Sequence, residues 1–575
     1  MGVKSRSSRR DFIKHVGAVA GAFSVLPGCV RRGARMAGRG SGERRDTRPN
    51  VVLILTDDQG YGDLGCHGNP HLRTPNLDRL HGESVRFTQC CVSPVCTPTR
   101  ASLMTGRYHM RTGAIDTYRG RAMMYPDEVT IAEMLRAGGY RTGIFGKWHL
   151  GDNYPLRAMD QGFDEAVVHR GGGLLQPSSP PGDSYFAPIV WRNGRQEQIA
   201  GYCTDVFTDA AIDFIERNRK GPFFAYLSTN APHAPLHVDD RYVAPYRAMG
   251  LDEPMAKVYG MVANLDENIG RVFAKLDELG LAENTIVIFM TDNGPASSRY
   301  NAGMRGKKGE VYEGGIRVPC FVRWPGRLEA GKDIARLAAH IDVAPTLLDL
   351  CGVHVPPEVR FDGMSLAPLM RGHVSGWADR TLFFQWHRGD VPEPYRNAAV
   401  RTQRFKLVNG RELYDLEADP AEQHDVAAEH PDIVARLRAE YDAWFQDVGA
   451  TRGYSPPRIE LGTPHENPSV LTRQDWRGIE GLADKDLDKG VGYWEVLVAR
   501  AGQYEFTVDF AAQDAAATAW IACGDIRLSR PVVAGATSCR VKGARLSAGA
   551  ARLQAWVEYG GVSMGARFLT VERVR

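Results

Sequence analysis

The sequence predicts an α/β domain with a mainly parallel sheet flanked by helices, followed by smaller β-rich units. Residues 51–55 and 285–290 are short apolar runs rich in β-branched residues, which is typical of strands buried on both faces. Between them, two segments with helical periodicity each precede a further apolar run, which indicates parallel βαβ units. The helical segments are 129–137 and 205–219, and the runs that follow them are 142–145 and 223–227.

Length and composition are those of a folded protein with more than one domain. A chain of 575 residues suits two or three domains, and 43% hydrophobic residues are enough for sizeable cores. The net charge is +3, but residues 1–48 alone hold 12 Lys and Arg against three acids, so the rest of the chain is slightly acidic. A general nucleic-acid binder concentrates basic charge on its folded body, and we therefore expect no nucleic-acid partner.

Residues 1–29 are predicted to be an export signal. Arg9 and Arg10 precede an apolar run at 16–26, which is shorter than the about 20 residues that span a bilayer as a helix. The S-R-R-x-F-x-K pattern resembles a twin-arginine signal, and L-P-G-C resembles a lipobox that ends at Cys29. We expect a periplasmic or cell-surface protein, with a lipid anchor at Cys29 and a plain cleaved signal as the two alternatives. Residues 30–48 are rich in Arg, Gly and Ser and are expected to form a flexible tether.

The rest of the chain divides into four predicted segments. The α/β domain covers residues 49–375, and residues 376–455 are expected to form a smaller α+β subdomain with an antiparallel sheet. Residues 456–469 are Pro-rich and are expected to be a linker. Residues 470–575 alternate polar and apolar positions without helical periodicity, which predicts a separate all-β sandwich as an accessory domain.

Aromatic residues of the predicted sandwich allow two interpretations. Their rings could stack on sugars, but alternating aromatics in a sandwich are more often part of its core, and we favour the core. These residues are Trp476, Trp494, Trp520, Trp556 and Tyr559.

The ten cysteines form no obvious disulfide framework. Cys523 and Cys539 lie in one strand-rich segment and are the best candidates for a bridge, although the sequence does not determine the pairing.

Acidic and amide side chains follow two of the predicted strands directly. Asp57 and Asp58 come after the first strand, and Asp292 and Asn293 come after the strand at 285–290. In parallel sheets, sites lie at the carboxyl ends of the strands. Hard oxygen ligands suit Ca²⁺ or Mg²⁺, and the alternative is that these residues only form turns. The position of both pairs after buried strands favours a metal site.

A third cluster lies between these two pairs, at residues 93–107. Cys96 is followed by Pro98 and Arg100, and then by a T-G-R sequence. A lone buried cysteine would be the structural explanation. It does not account for Arg100, a permanent cation suited to contacts with anions.

The C-x-P-x-R pattern and the following A-S-L-M-T-G-R resemble the signature of the type I, formylglycine-dependent sulfatases of the arylsulfatase type, in the alkaline phosphatase superfamily. Thr99 stands where that family usually has Ser, and it keeps the hydroxyl. Further segments resemble the family's other motifs in the expected order. These are residues 56–65, 74–80, 146–151, 231–235, 291–294, 308–315 and 413–420. The resemblance implies an alkaline-phosphatase-like fold and a sulfuric ester hydrolase that acts on a sulfated carbohydrate or an aryl sulfate.

The resemblance also implies the cofactors of the site. Cys96 would be converted to 3-oxoalanine (Cα-formylglycine) by a formylglycine-generating maturation enzyme, and the hydrate would be the nucleophile. One Ca²⁺ per chain, with Mg²⁺ as the weaker candidate, would polarise a sulfuryl oxygen. Its ligands would be Asp57, Asp58, Cys96, Asp292 and Asn293.

The catalytic roles follow from the same resemblance. Arg100 would hold the nucleophile and the metal ligands in place, while Lys147 and Lys308 would neutralise sulfuryl oxygens. His233 would be the general acid on the leaving oxygen, and His149 the base that assists the elimination of sulfate. Lys307 is a rival for the role of Lys308, which we prefer because of its spacing to the motif that follows.

Two alternatives stay open at this point. Phosphonate monoester or phosphodiester hydrolases share the architecture and sometimes the cysteine. A carbohydrate-binding protein with a decayed catalytic domain is disfavoured, because every expected catalytic position is filled. Loops at 169–189 and 384–396 are expected to select the substrate. The side chains of Arg371, Arg388 and Arg396 could contact a polyanionic substrate, but we favour solvated surface positions for them.

Overall fold

The computed structural model describes residues 48–479, 482, 487 and 490–575. The predicted export signal, Cys29 and the tether up to residue 47 lie outside these residues. Of the described helices, none is both long and apolar enough to cross a membrane.

A ten-stranded sheet forms the centre of the first domain. Asn50–Thr56 lies between Thr285–Thr291 and Phe223–Ser228, and the parallel order continues through Arg141–Lys147 to Glu165–His169. All four predicted strands lie in this parallel part, so the prediction of an α/β fold with a mainly parallel sheet is confirmed. The outer strands are Lys332–Ile334, Val85–Phe87 and Cys320–Arg323 at one edge, and Ile189–Arg192 and Arg195–Gln198 at the other.

Side chains of the central strand alternate between two hydrophobic cores. Val51, Leu53 and Leu55 pack into the core on one face, while Val52 and Ile54 pack into the core on the other. Both faces are therefore covered, which explains the continuous apolar run. Helices on the first face are Cys96–Thr105, Ile131–Ala137, Val343–Cys351 and Ala367–Met370, and those on the second are Pro75–Glu83, Cys203–Asn218 and Glu253–Glu278.

The helix predicted at 129–137 begins at Ile131. Thr130 caps it: its hydroxyl accepts from the Glu133 amide at 3.1 Å, and the Glu133 carboxylate accepts from the Thr130 amide at 3.0 Å. The remaining α-helices are His109–Thr112, Asp240–Ala248, Glu313–Ile316 and Pro431–Ala450, and the 3₁₀ turns are Gly65–His67, Ala158–Gln161, Ala282–Asn284, His340–Asp342 and Arg473–Asp475.

Two small sheets follow the large one. A three-stranded sheet joins Cys90–Cys91 to Arg317–Val318 and Ala338–Ala339. A four-stranded antiparallel sheet packs against Pro431–Ala450, whose Leu437, Tyr441, Trp444 and Val448 enter a shared core. Its strands are Leu382–Gln385, Ala398–Arg401, Phe405–Val408 and Glu412–Asp415.

The C-terminal part of the chain forms two β-sheets that share one core. The first is Ile459–Leu461, Trp494–Val498, Gly549–Tyr559, Ala517–Cys523 and Ile526–Val532, with Val562–Gly565 beside Gly549–Tyr559. The second is Ser469–Thr472, Phe568–Arg573, Gly502–Asp509 and Ser538–Leu546. The segment 456–469, predicted to be a linker, thus contributes the strand Ile459–Leu461. Its two apolar residues, Ile459 and Leu461, are buried in the shared core between flanking prolines.

Two predictions about this part of the chain need correction. Cys523 and Cys539 are free thiols: Cys523 is paired with Leu553 in the first sheet, and Cys539 with Val508 in the second.

The aromatic residues do not all enter the core. Trp476 and Trp494 do, but Trp520 lies on the opposite face of its strand from the buried Ala519 and Ile521. There it stacks on Trp556, with ring planes 6° apart.

The sandwich packs directly on the first domain. Tyr118, Met123 and Leu156 of that domain belong to the same hydrophobic cluster as the sandwich core. Glu466 accepts hydrogen bonds across the boundary, at 2.8 Å from the Tyr154 amide and 3.3 Å from the Asn153 side chain. The buried contacts make the two units one packed body.

This boundary also buries an acid whose charge opposes folding. Burial and the carboxylate of Asp152 raise the pKa of Asp475 from 3.8 to about 8. The folded chain therefore holds a proton that the unfolded chain releases near pH 4, and the contribution of Asp475 to the free energy of unfolding falls as the pH rises from about 4 to 8.

We expect Asp475→Asn to raise the free energy of unfolding at pH 8.5 by about 1 kcal/mol or more, and by less at pH 5. Thermal unfolding at both pH values, compared with the exposed control Asp525→Asn, measures this difference. An equal change at the two pH values would contradict it.

Candidate active site

The predicted metal residues meet at one edge of the large sheet. Thr56 and Thr291 are paired across neighbouring parallel strands, so the residues that follow them come side by side. The Asp292 amide donates to Thr56 O at 3.0 Å, and the Asp58 amide donates to the Asp292 carboxylate at 3.2 Å. Asp58 has a φ of 64°, a left-handed conformation that costs energy in a residue other than glycine.

Each buried carboxylate in this cluster has its own cation. Lys147 Nζ lies 2.6 Å from Asp57, Lys308 Nζ 2.6 Å from Asp58, and an Arg100 nitrogen 2.7 Å from Asp292. The three carboxylates and the side chains of Lys147 and Arg100 are almost completely buried, while the Lys308 side chain is 21% exposed. Removing one partner would leave an uncompensated buried charge.

The pKa shifts of these groups follow from their surroundings. Burial opposes the charge of Asp58, but Lys308 and His233 lower the pKa of this carboxyl well below its usual range. Burial and the neighbouring Asp57 raise the pKa of Asp292 to about 6. Burial would lower the pKa of the Lys308 ammonium, and Asp58 raises it well above its usual value.

The donor set fits a hard divalent cation. Asp57 Oδ1 and Asn293 Oδ1 are buried and have no hydrogen-bond partner among the described residues. Asn293 directs its amide nitrogen to Asp58 at 2.9 Å, which leaves its oxygen for another ligand. Ligand atoms of Asp57, Cys96 and Asp292 lie within 4.8 Å of one another, as do those of Asp57, Asp58 and His233. Carboxylate and amide oxygens at this spacing are the ligands that Ca²⁺ and Mg²⁺ prefer.

A second group of metal-ligand type, Cys66, His67 and His81, is a weaker candidate. Arg86 NH1 lies 3.2 Å from His81 Nδ1, which can accept its hydrogen bond, and Arg86 also pairs with Asp333. A metal ion here would have to compete with a guanidinium group, which is unfavourable.

Cys96 is the first residue of the helix Cys96–Thr105, and Arg100 lies one turn further on. Besides Asp292, Arg100 contacts Ser228 and donates to Lys147 O at 3.2 Å. The Thr99 hydroxyl donates to Ser93 O at 3.0 Å, so it stabilises the turn that leads into Cys96. Arg100 therefore joins the helix of the candidate nucleophile to the ends of three strands.

A glycine permits the close approach of two of these strands. Gly146 is paired with Ser228, and a Cβ at position 146 would lie 1.9 Å from Ser228 O. The next residue, Lys147, ends its strand and points to Asp57. The G-K-W-H motif thus needs glycine for steric reasons.

The two candidate histidines are held by backbone carbonyls. His149 is 2% exposed, and its Nε2 donates to Thr117 O at 2.7 Å. Burial, with Lys147 and Arg100, lowers the pKa of His149 well below its usual value. His233 Nδ1 donates to Ala234 O at 2.6 Å, and its Nε2 lies 3.7 Å from Asp58. Burial lowers the pKa of His233 to about 4.

A cavity of about 970 Å³ opens over this cluster. Cys96, His149, His233 and Lys308 all line it, whereas Lys307 does not. The two loops predicted to select the substrate line it as well. From residues 169–189 they contribute Gly172, Leu175, Gln176, Pro177, Ser179, Pro180 and Pro181, and from residues 384–396 Trp386 and Arg388.

Several lining residues were not predicted from the sequence. Arg388, for which a solvated surface position was favoured over a contact with substrate, lines the cavity with its guanidinium 2.7 Å from the buried Asp116. Thr117 and Tyr118 follow Asp116 in a loop that matched none of the motifs. The C-terminal sandwich supplies Arg473, Gln474, Leu487, Arg567 and Phe568. No sequence signal marked these residues, because they come from a different domain more than 300 positions after Cys96.

Comparison with known families identifies the chain. Residues 49–353 match the family described as Sulfatase, and residues 306–445 match the one described as N-sulphoglucosamine sulphohydrolase, C-terminal. The first match covers more than half of the chain. The chain belongs to the sulfatase family. It is a sulfuric ester hydrolase, as predicted.

Curated relatives and a solved structure match between 60% and 72% of this sulfatase. It is similar to arylsulfatase A of Homo sapiens, with 33% identity over 457 residues, 72% of this chain and 86% of that protein. It is also similar to steryl-sulfatase of Mus musculus, with 33% identity over 60% of this chain and 70% of that protein. The crystal structure of Ps i-CgsB in complex with k-i-k-neocarrahexaose is 29% identical, with a TM-score of 0.65 over 71% of this chain and 95% of that one. Neither family match extends beyond residue 445, so the sandwich lies outside both.

Proposed function

We propose that this sulfatase is exported and removes sulfate from a sulfated carbohydrate, with a formylglycine at position 96 and one bound Ca²⁺. The observation that carries the proposal is the convergence of Cys96, His149, His233 and Lys308 on one cavity, directly above the buried carboxylates.

The charges of the site favour an anionic substrate. The carboxylates of Asp57, Asp58 and Asp292 balance the cations Lys147, Lys308 and Arg100. A divalent cation at this cluster would therefore leave excess positive charge in a buried place. Coulomb attraction is strong where water is excluded, so the excess would bind a sulfate monoester anion.

The size and lining of the cavity support a carbohydrate. A volume of about 970 Å³ is large for a simple aryl sulfate, and the aromatic residues Tyr118, Trp386 and Phe568 are part of its lining, as is common in sites that bind sugars. The similar Ps i-CgsB was solved with a neocarrahexaose, which is consistent with this substrate class.

The proposed ligands of the cation are Asp57, Asp58, Cys96, Asp292 and Asn293, of which Asp57 and Asn293 have the unpaired oxygens. The bound cation supplies Lewis-acid polarisation of a sulfuryl oxygen. Arg100 fixes Asp292 and the start of the helix at Cys96, and Lys308 faces the cavity, where it can neutralise a sulfuryl oxygen.

Two proton transfers accompany the reaction. His233 lines the cavity, and the negative charge of a bound sulfate favours its protonated form, which can donate to the leaving oxygen. His149 carries its proton on Nε2, which leaves Nδ1 to accept a proton when sulfate departs. A formylglycine hydrate at position 96 would offer one hydroxyl for attack on sulfur, with the alcohol of the substrate leaving, and a second whose proton His149 would accept as the aldehyde is restored and sulfate is released.

The proposal also includes two partners, a formylglycine-generating maturation enzyme and the twin-arginine export machinery. Cys96 is only 2% exposed in the folded chain, so we expect the maturation enzyme to act before folding is complete. A twin-arginine signal exports folded proteins, which fits this order of events. Export would place the working enzyme outside the cytoplasm, either with a lipid anchor at Cys29 or after cleavage of a plain signal.

Parallel assays test the proposed function. We expect the purified full-length enzyme to hydrolyse sulfated oligosaccharides and aryl sulfates, with phosphodiesters and phosphonate monoesters turned over far more slowly. Cys96→Ala measures the background on every substrate. Faster turnover of phosphodiesters than of any sulfate would overturn the proposal in favour of a phosphoester hydrolase of the same superfamily.

A further inference from the structure

The C-terminal sandwich forms one wall of the cavity that contains the catalytic candidates. Five of its described residues line that cavity, although the sandwich lies outside the residues matched by the sulfatase family. One of the five, Gln474, is 4% exposed and reaches the neighbourhood of His149.

The backbone places Gln474 at a fixed point. It lies in the 3₁₀ turn Arg473–Asp475, which directly follows the strand Ser469–Thr472. The Thr472 hydroxyl accepts from the Gln474 amide at 3.3 Å and so caps the turn. The position of the side chain is therefore set by the sandwich and not by a free loop.

Gln474 makes two hydrogen bonds to the loop at residues 117–120, whose Thr117 carbonyl also binds His149. The side-chain amide of Gln474 donates to Thr117 O at 2.8 Å. The backbone carbonyl of Gln474 accepts from the Gly120 amide at 3.3 Å. The Thr117 carbonyl accepts a second hydrogen bond, from His149 Nε2 at 2.7 Å, and the two side-chain nitrogens are 3.3 Å apart. One carbonyl oxygen is thus shared by the glutamine and the histidine.

The Thr117 carbonyl determines which ring nitrogen of His149 carries the proton. A carbonyl oxygen only accepts hydrogen bonds, so His149 must carry a proton on Nε2 to make this contact. Its Nδ1 is buried without a partner among the described residues, so it keeps a lone pair. His149 also has a φ of 56°, a conformation that the surrounding structure must stabilise.

We propose that Gln474 is a positioning residue of the active site, which holds the Thr117 carbonyl and thereby keeps His149 in its Nε2-protonated form. The C-terminal sandwich is then part of the catalytic unit and not a detachable accessory module. This inference rests on the proposed role of His149 in the release of sulfate.

Two substitutions test whether the N–H donor matters. Gln474→Met and Gln474→Leu both keep an apolar side chain in this space, but neither can donate a hydrogen bond to Thr117 O. With an aryl sulfate we expect each to lower kcat about 10- to 100-fold and to lower KM with it, so that kcat/KM changes little, because only the breakdown of the covalent sulfate is slowed. Departure of the aryl group does not need His149, so both variants should release a burst of about one aryl group per active site before the slow steady state.

Controls separate this role from a loss of folding or maturation. Gln554→Met changes a half-buried glutamine of the same sandwich that does not line the cavity, and it should keep the wild-type kcat. Melting temperatures and mass spectrometry of the peptide containing Cys96 check that each variant is folded and converted. A wild-type kcat in both Gln474 variants, or a lowered kcat without a burst, would overturn the inference about Gln474 and leave the proposed function intact. A wild-type enzyme that hydrolyses no sulfate ester would overturn the proposed function and this inference together.

Discussion

Replacement of Cys96 by Ala is expected to abolish sulfate ester hydrolysis, with a loss in kcat/KM of at least about 1,000-fold, because it removes the proposed nucleophile. Cys96→Ser should lose activity to a similar degree, since serine offers one hydroxyl where the hydrated aldehyde offers two. Cys96 is buried at the start of a helix, and its small side chain can be replaced without a large cavity.

The control for this prediction is Cys539→Ser. Cys539 is a half-buried free thiol of the sandwich, so its loss should leave kcat/KM unchanged. Mass spectrometry of the Cys96 peptide should show the aldehyde in enzyme from its native host. An unmodified thiol in fully active enzyme would contradict the formylglycine mechanism.

Removal of the divalent cation by a chelator is expected to lower kcat by at least about 100-fold and to lower the melting temperature. The physical reason is that loss of the cation removes the proposed Lewis acid and leaves Asp57 Oδ1 and Asn293 Oδ1 buried without a partner among the described residues. Addition of Ca²⁺ should restore both the activity and the melting temperature.

Substitution of Asn293, one of the proposed ligands, also tests whether a cation binds at this cluster. Asn293→Ala removes a buried amide oxygen, and we expect it to raise the Ca²⁺ concentration for half-maximal activity by about 10- to 100-fold. Asn284→Ala, at an exposed position, should leave that concentration unchanged. Full activity and an unchanged melting temperature after complete chelation would exclude a metal at this cluster.

Much of the site could be predicted because its residues follow strands directly. The register that pairs Thr56 with Thr291 brings Asp57 beside Asp292, and the apolar runs before them were visible in the sequence. Arg100, by contrast, was expected near the metal only by resemblance, and its contacts with Asp292 and Lys147 O depend on how the helix packs against the sheet.

Other features could not be predicted, because they depend on contacts between distant segments. A strand at Ile459–Leu461 was hidden by the prolines around it, and its burial comes only from pairing with Trp494–Val498. Trp520 and Trp556 share the alternating pattern of core residues, but the register of their strands places both on the outer face. Arg388 was expected at the surface and instead lines the cavity.

The sequence by itself determined the α/β fold, since apolar periodicity is a local property that a single sequence carries, and its motifs indicated a sulfatase through their resemblance to those of the family. The tertiary structure decided which residues of the sandwich line the active-site cavity. The docking of the sandwich places Gln474 beside His149 and Phe568 on the wall of the cavity. That arrangement arises from a hydrophobic core shared with Tyr118, Met123 and Leu156, a long-range contact that no local pattern encodes.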